Sequence, residues 1–282
     1  LKDMVVLYRT NAQSRIFEEV LLENNIPYKI VGGVRFYQRK EIKDVLAYIR
    51  LLLNEKDAMS LKRIINVPPR GIGKKSLERY RDGETTPALH VFNVLLAELR
   101  ATMHQETGSG FIKRLVSTLK YREYLEETQP QAEERWQNIE ELVSVAKRYD
   151  DLDPPTGLEK LLEDAALMSE QDETNAPQDA INLMTLHAAK GLEFRIVFLV
   201  GLEEGIFPHA RALFSPSELE EERRLCYVGL TRAKEKVFLS CALRRMHFGS
   251  IQANIPSRFL AEIPEHLIEI RDENNADDIF IE

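Results

Sequence analysis

Apolar residues fall in short runs near both ends of the chain and at helical spacing between them. MVVLY (4–8) is a run suited to a buried strand. A polar turn, RTNAQS, follows, and a helix is predicted from about Ala12, with Phe17, Val20, Leu21 and Ile16 on its apolar side. Pro27 ends that region, and YKIVGG (28–33) reads as a second strand closing on two glycines. This β-α-β order implies a parallel sheet with a right-handed crossover. From about 39 to 175 the period of two vanishes. Helical stretches are predicted at 40–53, 57–66, 74–81, 87–102, 110–120, 131–149 and 156–168, with breakers such as Pro68-Pro69, Gly108-Ser109-Gly110 and Pro154-Pro155 between them. Residues 169–180 are polar and acidic and read as a linker.

Strand-like runs return at INLMTL (181–186), RIVFLVG (195–201) and KVFLSCA (236–242), around an amphipathic helix over 217–230. The first turns of that helix carry Glu218, Glu220, Glu221 and Glu222, where carboxylates suit the positive end of the helix dipole. The simplest architecture is one α/β domain interrupted by a long all-helical insertion, with a disordered acidic tail after about 270.

With 44% hydrophobic and 30% charged residues, the 282-residue chain can bury a core and is not globally disordered. Cys226 and Cys241 are too few for a disulfide scaffold or zinc cluster and point to a reducing compartment, hence a cytoplasmic protein. No apolar run approaches the roughly 18 residues of a membrane span, so no membrane partner is expected. The chain opens on LKDMVVLYRT, without a signal-peptide pattern or an initiator methionine, which reads as a fragment of a longer protein.

A net charge of −8 argues against nucleic acid, because phosphate contacts need Lys and Arg. Its distribution changes that picture. Residues 35–81 hold 13 basic and 5 acidic side chains, whereas 83–180 hold 9 and 20, and 262–282 hold 1 and 8.

Three segments carry candidate chemistry. TLHAAKGLEF (185–194) places His187, Lys190, Gly191 and Glu193 in a loop after a strand; at the carboxyl edge of a doubly wound sheet this is either a ligand loop or an ordinary crossover. In EEERRLCYVGLTRAKEKVFLS (220–240) a helix ends just before Arg232. An arginine there can stabilise charge on a transferring phosphoryl group, or simply sit solvated at a helix C-terminus. PPRGIGKKS (68–76) fails the GxxxxGK[ST] test for a P-loop. It reads as a glycine turn between helices, whose N–H groups can approach a DNA phosphate, or as a plain turn. The six histidines show no zinc spacing. Glu203, Glu204 and Glu220–Glu222 read as solvated, Cys226 as core, and Trp136 as packing.

With VLYRTNAQSR (6–15) and YKIVGGVRFYQRKEIKDVLAYIRLL (28–52), these segments resemble the C-terminal half of superfamily 1 DNA helicases of the PcrA/UvrD/Rep type, over about residues 4–264. The resemblance implies a RecA-like parallel-sheet domain, P-loop NTPase-like but without its own P-loop, interrupted by a helical domain. Residues 1–34 and 173–268 would form the RecA-like domain (2A), 35–172 the inserted domain (2B), and 269–282 an acidic disordered tail.

The resemblance further implies that Arg232 contacts the γ-phosphate of ATP and that Gly191 and Glu193 belong to the same ATP site. It implies a single-stranded DNA track of Arg9, Asn11, His187, His209 and Phe248, and duplex contact by Arg70, Gly71, Gly73, Lys74 and Lys75. ATP and Mg2+ would be used, with the phosphate-cradling loop and the Mg2+ ligands on a missing N-terminal RecA-like domain, so the fragment alone is expected to be inactive. The expected activity is ATP-dependent 3′-to-5′ unwinding, with repair or replication proteins as partners. The alternative is a non-catalytic helicase-like module that binds DNA or protein.

Overall fold

The apolar runs pair in a computed structural model that describes residues 1–73, 86–171, 179–247 and 249–269. The predicted tail, the 74–81 helix, residues 172–178 of the predicted linker, and Lys74, Lys75 and Phe248 lie outside the described residues.

Strands β1 (Met4–Tyr8), β2 (Tyr28–Ile30), β3 (Ile181–Thr185), β4 (Phe194–Val200) and β5 (Ala233–Ser240) form one sheet in the order β2-β3-β1-β4-β5. Every neighbouring pair is parallel. The central strand is apolar on both faces because both are covered. Val5 and Leu7 join Met184, Val197, Leu199, Leu225 and Cys226 in one core, while Val6 and Tyr8 join Tyr28, Leu183 and Val200 in another.

Helix α1 (Ser14–Glu23) follows a short 3-10 turn at Asn11–Gln13, so it starts later than the pattern predicted. Phe17, Leu21 and Leu22 pack on the sheet. Ile16 and Val20, expected on that side, are exposed, and Ser14, Arg15 and Glu18 are buried instead. A second body covers this polar flank of α1.

That body is the stretch that lost its period of two. It contains α2 (Lys40–Leu53), α3 (Ala58–Ile64), α4 (Pro87–Met103), α5 (Gly108–Thr118), α6 (Tyr121–Thr128), α7 (Ala132–Ala146) and α8 (Thr156–Gln171). Ile42, Val45, Tyr48, Leu89, Phe92, Phe111 and Leu142 lie in its own core, which shares no residue with those of the sheet. Two details differ from the pattern. Gly108-Ser109-Gly110 is the first turn of α5 rather than a break, because the Thr107 hydroxyl accepts from the Gly110 N–H. The polar α6 was not anticipated; it follows Lys120, whose φ of 49° turns the chain.

A polar network joins the two bodies. The buried Arg39 guanidinium donates to Asn138 Oδ1 at 2.7 Å, Ser14 Oγ at 2.7 Å and the Val34 carbonyl at 3.1 Å. Asn138 donates on to Glu41 at 2.6 Å, and Arg15 donates to Glu141 at 2.5 Å. A buried guanidinium is tolerated only when its donors are used, so this junction depends on geometry rather than on apolar area.

Candidate functional site

Helix α9 (Pro216–Leu230) covers one face of the sheet and runs from its carboxyl edge back to its amino edge. The described candidates for nucleotide and for single-stranded DNA divide between those two edges.

At the carboxyl edge β1 ends in Arg9. Its Nε donates to both Glu222 carboxylate oxygens, at 2.9 and 3.0 Å, and its Nη2 donates to Oε1 at 2.7 Å. The same carboxylate accepts the His209 backbone N–H at 3.0 Å. Gln13 Oε1 accepts the Arg9 and Thr10 N–H groups, both at 2.9 Å, which fixes the turn after the strand. Asn11 donates to Glu134 at 3.4 Å, His209 Nε2 meets Gln137 Nε2 at 2.9 Å, and Arg211 pairs with Glu133 at 2.6 Å. The N-terminal turns of α7 thus face the candidate DNA residues. Arg9, His209, Arg211, Glu133, Glu134 and Glu222 are among the lining of a cavity of about 340 Å³ between α7 and the sheet edge.

His187 is exposed at the end of β3. Partial desolvation of the rings pushes the pKa values of His187 and His209 below the usual imidazole value, and the Arg9 charge pushes them the same way. The Leu186 N–H donates to the Tyr8 carbonyl at 2.9 Å, and Arg9 and the His209 N–H share the Glu222 carboxylate, so the structure gathers Arg9, His187 and His209 at one edge, with Asn11 in the same turn as Arg9.

The expectation that His187, Lys190, Gly191 and Glu193 share the carboxyl edge is corrected. Thr185 lies beside Tyr8 whereas Ile196 lies beside Met4. Because the strands are parallel, residues 186–193 must travel back along the sheet, roughly 20 Å at about 3.3 Å per residue. His187 stays at the carboxyl edge, and Gly191 and Glu193 arrive at the amino edge.

There they meet Arg232. The Phe194 N–H donates to the Arg232 carbonyl at 2.9 Å. The Arg232 guanidinium donates to the Val228 carbonyl at 3.0 Å, the Leu192 carbonyl at 3.1 Å and Thr231 Oγ1 at 3.1 Å. All three acceptors are neutral, and among the described residues no carboxylate pairs with it. The negative end of the α9 dipole favours the cation there. Two guanidinium N–H groups stay free of those bonds. Glu193 is exposed and pairs with Lys234 at 3.2 Å. Gly191 has φ of +84°, and a Cβ there would meet nothing within 4 Å, so its backbone is open to a ligand.

The glycine turn belongs to the helical body. Asn66 Oδ1 accepts the Arg70 and Ile72 N–H groups, at 2.6 and 3.3 Å, and Ile72 is buried. Gly71 and Gly73 are exposed, and a Cβ added to either would meet no atom within 4 Å. Arg70 points inward. It donates to the carbonyls of Ile64, Ile65, Val67 and Pro68 and to the Tyr48 hydroxyl, and stacks over Phe92 with its guanidinium carbon 5.1 Å from the ring centroid. Its charge closes the end of α3 rather than extending to a phosphate.

Sequence reasoning missed two carboxylates by reading them as solvated. Glu222 is 5% exposed and Glu203 fully buried. Glu203 accepts from Arg245 Nη2 at 2.6 Å and from the Ala242 N–H at 2.9 Å, which seats the hairpin of β6 (Arg245–His247) and β7 (Ser250–Gln252), also unanticipated. For Glu222 a signal existed: it lies four residues before Cys226, on the inward stripe of α9. Glu203 offered none. Among the described residues no three His, Cys, Asp or Glu side chains gather to hold a metal ion, and no helix is long and apolar enough to cross a membrane.

Comparison with known proteins gives this geometry a family. Over 298 aligned positions the chain is 43% identical to the ATP-dependent DNA helicase PcrA of Bacillus subtilis (strain 168), and over 296 it is 42% identical to that of Staphylococcus aureus (strain Mu50 / ATCC 700699). The PcrA of Staphylococcus epidermidis is 42% identical over 295. Each alignment covers 95% of this chain and 40% of the relative, so the chain spans about two fifths of the length of these proteins. The UvrD-like helicase C-terminal domain matches residues 1–244, and the chain belongs to that family.

Proposed function

We propose that this chain is the C-terminal part of an ATP-dependent 3′-to-5′ DNA helicase, supplying an arginine to the nucleotide at one edge of its sheet and a single-stranded DNA track at the other. The observation that carries the reading is Arg232: a guanidinium oriented by two carbonyls and a hydroxyl, with no carboxylate to neutralise it among the described residues, beside an open glycine. Such a group adds little to folding and much to a developing phosphate charge.

In this reading the 282 residues hold no GxxxxGK[ST] loop, so the triphosphate is cradled by another domain and Arg232 reaches it when the two close together. Gly191 gives the nucleotide room, and the Glu193 carboxylate accepts from a ribose hydroxyl. Mg2+ would arrive with ATP and neutralise charge between its phosphates. Its ligands are assigned to that other domain. At the carboxyl edge Arg9 donates to a phosphate, and Asn11, His187 and His209 hydrogen-bond to the strand, with Phe248 offered for stacking. In the helical body Gly71 and Gly73 present backbone to duplex phosphates, with Lys74 and Lys75 adding charge and Arg70 holding the turn.

The experiment is ATP hydrolysis, with and without single-stranded DNA, by the longer protein that carries this chain and by the 282-residue chain alone. DNA-stimulated hydrolysis by the first and none by the second is expected. Hydrolysis by the chain alone contradicts the division of the site, and DNA binding by the longer protein without hydrolysis favours a non-catalytic module.

A further inference from the structure

Glu222 is the buried acidic side chain of α9, past the first turn where the helix dipole acts. Burying a carboxylate costs several kcal/mol unless its oxygens are satisfied. Here both are, by three contacts from Arg9 and one from the His209 backbone. These two residues lie 200 positions apart in the chain, on different loops, and Glu222 is the group that both touch. The pairing is side-on, through Arg9 Nε and Nη2. Arg9 Nη1 has no partner among the described residues, so one face of the fork is pinned and the other is presented. Glu222 is buried and Arg9 and His209 are half-buried, which limits rearrangement of the pair.

The same helix continues to the other edge. From Glu222 to Leu230 is roughly 12 Å at about 1.5 Å per residue. At its far end Val228 accepts from Arg232. Next to it, Gly229 packs so closely that a Cβ would lie 2.5 Å from Cδ2 of Leu186, the residue before His187. α9 is therefore seated on the loop that carries one DNA candidate and tied through Glu222 to two more.

Resting on the helicase reading above, we propose that Glu222 is the positioning residue of the DNA track: it holds Arg9 Nη1 and the His209 loop in register for a strand phosphate, from the helix whose other end carries Arg232. Arg9 without Glu222 keeps its charge but loses its direction.

The test is the dependence of ATP turnover on oligothymidylate concentration in the longer protein, comparing wild type, Glu222→Gln and Glu222→Asp, with a melting curve for each. Glu222→Gln keeps the volume and removes the charge-assisted bonds. The expected result is a half-saturating DNA concentration raised about tenfold, as for loss of a charged hydrogen bond, with turnover at saturating DNA lowered less than about threefold. Glu222→Asp, which keeps the charge, recovers part of the affinity. A merely structural role would lower the melting temperature and the active fraction and leave the half-saturating concentration in place. An unchanged or lower half-saturating concentration in Glu222→Gln overturns the proposal, the latter because Glu222 would then be competing with DNA for Arg9. Wild-type protein without DNA-stimulated turnover overturns instead the reading on which it rests.

Discussion

Arg232 and Arg9 stand at opposite edges of one sheet and are held in opposite ways. Arg232 is oriented by neutral acceptors and keeps its full charge toward solvent. Arg9 is paired with a buried carboxylate, and the residues around it meet further carboxylates from α7. The amino edge is open and electrostatically unfinished. The carboxyl edge is partly satisfied from within, by the Arg9–Glu222 pair, and is tied to a second body. An edge of the first kind can be completed by an incoming anion at small cost to the fold. One of the second kind must share its donors between the fold and a ligand, so substitutions there change stability and affinity together.

The contrast is sharpest in turnover. Arg232→Lys in the longer protein is expected to lower ATP turnover by about a thousandfold, because a lysine cannot bridge the Val228 and Leu192 carbonyls and still present a fork. Melting should stay within about 0.5 kcal/mol of wild type. Normal turnover in this variant would remove the amino edge from the chemistry.

Stability comes next. Glu222→Ala leaves Arg9 half-buried without its carboxylate and should cost about 3 kcal/mol in a denaturant titration. Glu193→Ala breaks only the exposed pair with Lys234 and should cost under about 1 kcal/mol. Equal losses at the two positions would break the comparison.

A smaller effect concerns the acidic turn of α7. The double substitution Glu133→Gln with Glu134→Gln should tighten binding of single-stranded DNA by roughly threefold at low ionic strength, with the gain fading as salt is raised. A gain that persists at high salt would point to a change of shape rather than of charge.

The smallest expected effect is a pH dependence. The folded-state pKa values of His187 and His209 lie below the ordinary 6.5, through partial desolvation and then the Arg9 charge. The unfolded chain therefore takes up protons first as pH falls. This contribution to stability is complete above 6.5 and is lost as pH drops from there toward the folded-state values. The melting temperature should decline over that window, and His209→Asn should flatten the slope.

Much of the fold was legible because buried parallel strands must be apolar on both faces. MVVLY and RIVFLVG could be little else. The place of Arg232 after a helix and before a strand was legible, whereas its role at a phosphate came from the resemblance alone. What escaped reading depends on contacts between distant segments. Glu203 looks solvated in the sequence whether or not an arginine 42 positions away reaches it. Ser14, Arg15 and Glu18 defeat an amphipathic reading of α1 because a second body supplies their partners. Arg70 was read as free charge because its acceptors are carbonyls, which carry no sequence signal. The loop 186–193 was placed by its residue types, when parallel pairing alone required it to cross from one edge to the other.

On the proposed function the two edges do different work. Single-stranded DNA affinity and DNA-saturated ATP turnover, measured on the same two variants of the longer protein, Arg232→Ala and Asn11→Ala, separate them. Arg232→Ala is expected to abolish turnover and keep its affinity for DNA, while Asn11→Ala weakens DNA binding and keeps turnover once DNA is saturating. Loss of DNA binding with normal hydrolysis in Arg232→Ala would contradict that division.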